Sequence, residues 1–114
     1  MSDMVRPCKI CDEVTFRTLH KLCARLTRKM PYALYLAALS APNMNKAEAA
    51  CLRLLTGGEV ICRMQEHSLY ILLFARTDEA AEHTLQPVVR ELPGSTVRIS
   101  RVTRRLKEDP TDYE

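Results

Sequence analysis

The stretch "SLYILLFAR", residues 68–76, does most to limit the folds open to this chain. An apolar run of this length without polar alternation suits a central strand, which needs another layer on each of its two faces. Upstream, "EVICRMQ" alternates, with Val60, Cys62 and Met64 on one side. With "QEHS" as the turn, the two segments read as a β-hairpin. Downstream, "TDEAAEHTLQPVVREL" has helical character. Asp78, Glu79 and Glu82 suit the positive end of its dipole, while Pro87 is expected to kink or break it. "STVRISRVTRR" alternates again, entered through "PGS", and a right-handed crossover would run this strand parallel to the second.

The N-terminal half reads as helical. A first helix starts at Asp12 or Thr15 and ends at Met30, because Pro31 disfavours helical geometry in the residue before it. Phe16, Leu19, Leu22, Cys23, Leu26 and Met30 cover one side of it, and Arg17, Lys21, Arg25, Arg28 and Lys29 the other. "PYALYLAALSAP" is apolar all round and bounded by prolines, which suits a short buried helix. "NKAEAACLRLLTGG" offers Asn45 as N-cap, Glu48 for a capping box and Gly57 at a left-handed C-cap. The expected class is therefore α+β: N-terminal helices followed by a small ββαβ sheet unit. It forms one domain over residues 1–106, with 107–114 as an acidic, disordered tail.

Composition narrows the classes further. Apolar residues at 46% and charged residues at 27% fit a globular protein. The start "MSDMVRPCKICDE" lacks the apolar run of a secretory signal, and "MPYALYLAALSAP" is too short to span a bilayer. No membrane association is expected, and the reading is an intracellular protein of cytoplasm or nucleus. Five cysteines, an odd number, favour reduced thiols or metal ligands over a disulfide framework.

Three of those cysteines fall in "CKICDEVTFRTLHKLC", residues 8–23. Cys8 and Cys11 have the spacing of a zinc knuckle, and His20 with Cys23 would project one turn apart from the first helix, completing four ligands for a structural zinc ion. The competing reading makes Cys23 a small core residue and His20 a solvated one. A thioredoxin-like redox pair fits less well, because Cys8 and Cys11 precede every predicted strand. Cys51 and Cys62 fall on predicted core faces. No phosphate loop, nucleophile elbow or zinc-protease helix is present, so the expectation is a protein that is not an enzyme.

Basic charge is concentrated. Residues 1–57 hold nine of the 17 Lys and Arg against four of the 14 acids. The basic helix side, with Arg98, Arg101, Arg104 and Arg105 at the last strand, would form one phosphate-binding face if the two clusters met in space. Aromatic residues at 5%, without Trp, favour contact with the backbone of RNA or DNA over base stacking. If the clusters stay apart, each is a solvated face or a site for an acidic protein. "EHSLYILLFAR" followed by a helix resembles a strand-helix stretch of the adenovirus early-region-four third-reading-frame family, over less than a quarter of the chain. That resemblance implies a small self-assembling nuclear scaffold of viral origin, while a small ββαβ unit by itself leaves a sheet edge open that a second subunit can pair with; together they give a metal-free, homodimeric alternative. The leading expectation is a zinc-containing regulatory or accessory protein bound to nucleic-acid backbone, with the homo-oligomeric scaffold as its alternative.

Overall fold

The computed structural model describes residues 7–26, 31–65 and 68–102. They form a five-stranded mixed sheet with helices on both faces, the α+β class expected. In chain order the elements are β1 (Lys9–Ile10), α1 (Glu13–Leu26), β2 (Ala33–Ser40), α2 (Met44–Leu54), β3 (Val60–Gln65), β4 (Ser68–Ala75), α3 (Asp78–Glu91) and β5 (Thr96–Arg101). Across the sheet the order is β1-β3-β4-β2-β5. From β2 onward the connectivity is that of the ferredoxin-like split βαβ unit, every neighbouring pair antiparallel. Ahead of it, β1 adds a parallel edge strand beside β3, and α1 crosses the face that α2 and α3 leave open.

The hairpin is present as β3 and β4, with Ile61 opposite Ile71 and Cys62 opposite Tyr70, and the register slips between Arg63 and Gln65. The tip of its turn, residues 66–67, lies outside the described residues. As expected, β4 is buried on both faces. Leu69, Ile71 and Leu73 enter the core shared with α2 and α3, while Tyr70 and Leu72 enter the core beneath α1. The last strand runs in the same direction as β4, but β2 lies between them.

That intervening strand corrects the expected short helix. "ALYLAALS" is an extended strand at the centre of the sheet, paired to β4 on one side and β5 on the other. Ala and Leu favour helix, but a continuous apolar run of eight residues between two prolines carries no periodicity with which to choose. Tertiary pairing decides it. Leu34 and Leu36 fill the α1 side, and Tyr35, Ala37 and Leu39 the other.

The cap of α2 lies two residues earlier than expected. Asn43, in extended geometry, accepts a hydrogen bond from the Lys46 backbone N–H at 3.2 Å. Asn45 instead accepts from Arg63 Nη2 at 3.0 Å, and Glu48 pairs with Arg63 Nε at 2.8 Å. Of the two glycines after α2, Gly58 has the positive φ, at 81°, and not Gly57. α3 is capped by Thr77, whose side chain accepts from the Ala80 N–H at 3.0 Å. It passes through Pro87 without ending there.

α1 also docks differently. Its buried residues are Phe16, His20 and Ala24, spaced i, i+4 and i+8, with Leu19 and Cys23 half-buried on the flank. Leu22 and Leu26 are 51% and 57% exposed. The apolar arc of this helix is wider than its contact, and the side carrying small Ala24 is the one that lies against the sheet. Residues 27–30, where the helix was expected to continue to Met30, lie outside the described residues, as does 103–114, which contains the acidic tail. Among the described residues no helix is long and apolar enough to cross a membrane.

Candidate interaction surfaces

The four residues of the expected zinc knuckle are not gathered. A C-x2-C pair can share a metal only if the chain turns between the two thiols, and here the segment is extended. Lys9 N–H donates to the Glu59 carbonyl at 3.0 Å, and Cys11 N–H to the Ile61 carbonyl at 2.9 Å. Residues three apart on an extended chain face opposite sides of a sheet. Cys8 accordingly enters the core under α2, while Cys11 and Cys23 pack on the α1 side. His20 is fully buried between α1 and the sheet rather than solvated. Among the described residues no group of three or more His, Cys, Asp or Glu side chains could hold one metal ion.

Each thiol is instead set by its own surroundings. Burial, reinforced by the Glu59 carboxylate, pushes Cys8 up to about 12. Burial, with Cys8 and Glu59 adding to it, does the same to Cys51. On the opposite face Cys62 is raised to about 11 by burial first and then by Cys11. Cys11 and Cys23 are also raised, mainly by burial. At neutral pH all five are therefore thiols, poor nucleophiles without an added base or metal.

The expected basic face is divided. Arg17 pairs with Glu13 at 2.9 Å, one turn back on α1. Lys21 and Arg25 are exposed one turn apart on the outward side. Arg98 and Arg101 are exposed on β5, but their odd spacing sends them to opposite faces: Arg98 aligns with Ala38 on the α1 side, Arg101 with Tyr35 on the α2–α3 side. α1 packs chiefly on β3. β3 and β5 are three strand spacings apart, roughly 14 Å. Arg28, Lys29, Arg104 and Arg105 lie outside the described residues. The described arginines and lysines thus form separate small groups on different elements.

The sheet's two edges differ more clearly. At one end β1 is two residues long, too short to template another strand. At the other, β5 extends for six residues and is paired only with β2 among the described residues. Val102 N–H donates to the Leu34 carbonyl at 2.9 Å. By alternation, the backbone groups of Ser100 and Arg98 also turn toward β2, leaving those of Val97, Ile99 and Arg101 on the open side. Beside this edge, a groove of about 430 Å³ runs between β5 and α3. Leu85, Val89, Val97 and Ile99 form its floor, with Glu79, Glu82, His83 and Gln86 along its rim. An open sheet edge was expected from the sequence, but not the residues that line this one: with "ALYLAALS" read as helix, the final strand was set beside β4, and β2 lies between them.

No protein family, curated protein or solved structure matches the chain.

Proposed function

We propose that this chain is a non-enzymatic protein-interaction module that associates with a second copy of itself along β5. The open side of that strand is the observation that carries the reading. Six residues of extended backbone, backed by half-buried Val97 and Ile99, present donors and acceptors that a second strand can use.

The sequence of β5 restricts the register. Directly opposite residues must share a face, so an antiparallel pair of β5 strands centres on one residue. Centring on Arg98 sets two guanidinium groups directly opposite each other, which is unfavourable. Centring on Ile99 places Ile99 against its symmetry mate and Arg98 opposite Ser100. It also overlaps Val97 to Arg101 in both copies. A two-fold axis through Ile99 then joins the two sheets into one and extends the apolar groove across the junction. Self-assembly is also what the resemblance of the strand-helix stretch implies.

Sedimentation velocity on the full chain tests this. The expected result is a concentration-dependent dimer at micromolar protein that withstands high salt, and a folded monomer for Ile99→Lys, which sets two ammonium groups opposite each other. A monomer at every concentration, or a dimer indifferent to Ile99→Lys, refutes it. The exposure of Lys21 and Arg25, neither paired with a carboxylate among the described residues, supports a second reading, contact with nucleic-acid phosphate. Salt-sensitive duplex binding that Lys21→Glu with Arg25→Glu abolishes would support it, and unchanged binding would remove α1 from that role.

A further inference from the structure

Three sulfur atoms converge at the N-terminal end of α1. The parallel register of β1 on β3 pairs Lys9 with Val60 and Ile10 with Ile61. The Cys11 N–H bond to the Ile61 carbonyl carries this register one residue further and sets Cys11 beside Cys62. The two thiols are close enough for each to shift the other's acidity. Two residues along β3 and on the same face, Met64 receives the Cys62 thiol: Cys62 Sγ donates to Met64 Sδ at 3.6 Å. Cys62 is fully buried, while Cys11 and Met64 are half-buried and give the cluster a path to solvent.

We propose that Cys11, Cys62 and Met64 form a three-sulfur binding site for a soft monovalent cation, copper(I). The donor set decides the class. Two thiolates and a thioether are soft ligands that favour copper(I), whereas a structural zinc ion needs four ligands, of which only two thiols are gathered here. Binding is a ligand exchange without redox change. Copper(I) forms bonds to Cys11 Sγ and Cys62 Sγ, two thiol protons leave to solvent, and Met64 Sδ donates a lone pair as a neutral third ligand. The resulting complex carries one negative charge. Arg17, near enough to Cys62 to favour its thiolate, offsets that charge, while Asp12 and Glu13 oppose it. The site is independent of β5, which lies at the far edge of the sheet.

The test is anaerobic titration of the reduced full chain with copper(I) supplied as its acetonitrile complex, in competition with the chelator bathocuproine disulfonate. One copper(I) per chain is expected to resist the chelator. Cys11→Ser should lose it, Met64→Leu should weaken it, and Cys23→Ser should retain it. Cys11 is half-exposed, so its serine variant decides the matter even if Cys62→Ala fails to fold. X-ray absorption of the bound ion should show sulfur-only coordination. Copper retained in Cys11→Ser, copper lost in Cys23→Ser, or a nitrogen donor in the coordination sphere would each overturn the proposal.

Discussion

Replacing Phe16 and Leu22 of α1 with alanine, one at a time, separates the observed docking of this helix from the docking its sequence suggests. Both residues lie in the apolar arc, and a helix resting on the centre of that arc would bury both. In the structure Phe16 is fully buried against the core formed by Leu34, Leu36, Cys62, Tyr70 and Leu72, whereas Leu22 is 51% exposed. Truncating a buried Phe removes its transfer free energy and leaves a cavity, together about 3–5 kcal/mol. That is a large part of a total stability of about 5–15 kcal/mol. A surface truncation stays within about 0.5 kcal/mol. With a urea dependence of about 2 kcal/mol per molar, Phe16→Ala lowers the unfolding midpoint by about 1.5–2.5 M, and Leu22→Ala by less than about 0.3 M. Urea melts followed by far-ultraviolet circular dichroism measure both. Equal shifts for the two variants would show that α1 sits on the sheet through its Leu22–Leu26 side and would refute the docking described here.

Two further outcomes follow from local geometry. Asn43→Ala should cost about 1 kcal/mol, because Asn43 caps α2 through the Lys46 N–H, while Asn45→Ala should cost about half of that or less; thermal melts distinguish them. Stability should fall as pH rises above about 9, where thiols of the unfolded chain release protons that Cys8 and Cys51 hold up to about 12. Tyr35, buried and donating to Asp78 Oδ1 at 2.6 Å, is raised too and adds to the loss at higher pH. These groups keep their protons longer folded than unfolded, so their stabilisation is complete below the unfolded values and lost above them. Urea midpoints at pH 7, 9 and 10.5 test the sign, and a rising midpoint would contradict it.

Much of the C-terminal half was legible because its signals are local. Alternation in "EVICRMQ", the apolar run of β4, the acidic first turn of α3 and the glycine turn before β5 each point to one element without reference to the rest. β2 carries no such signal. Its residues prefer helix, and only pairing on both edges and burial on both faces make the strand the better state. That single reversal set β5 beside β4 instead of beside β2. The placement of the expected zinc ligands depends on a different kind of information. Spacing counts residues, but the side to which Cys8 and Cys11 point depends on whether the segment between them turns, and two backbone hydrogen bonds to β3 hold it extended. The neighbouring sulfurs of Cys11 and Cys62 were invisible for the same reason, since 50 residues of sequence separate them and only the register brings them together.

The position of β2 also bears on the order in which the protein can assemble. During synthesis "ALYLAALS" emerges well before either of its partners, which begin at Ser68 and Thr96. Until then nothing opposes its intrinsic preference, and a nascent chain holds a helix-prone apolar segment that must later convert to a strand. Because its second neighbour is the last strand of the sheet among the described residues, the centre of the sheet is completed only after the rest of it. Long-range pairing of this kind slows folding and prolongs the exposure of apolar surface. Substituting valine for the alanines of β2 would lessen that conflict and should speed refolding, even where the finished fold gains little.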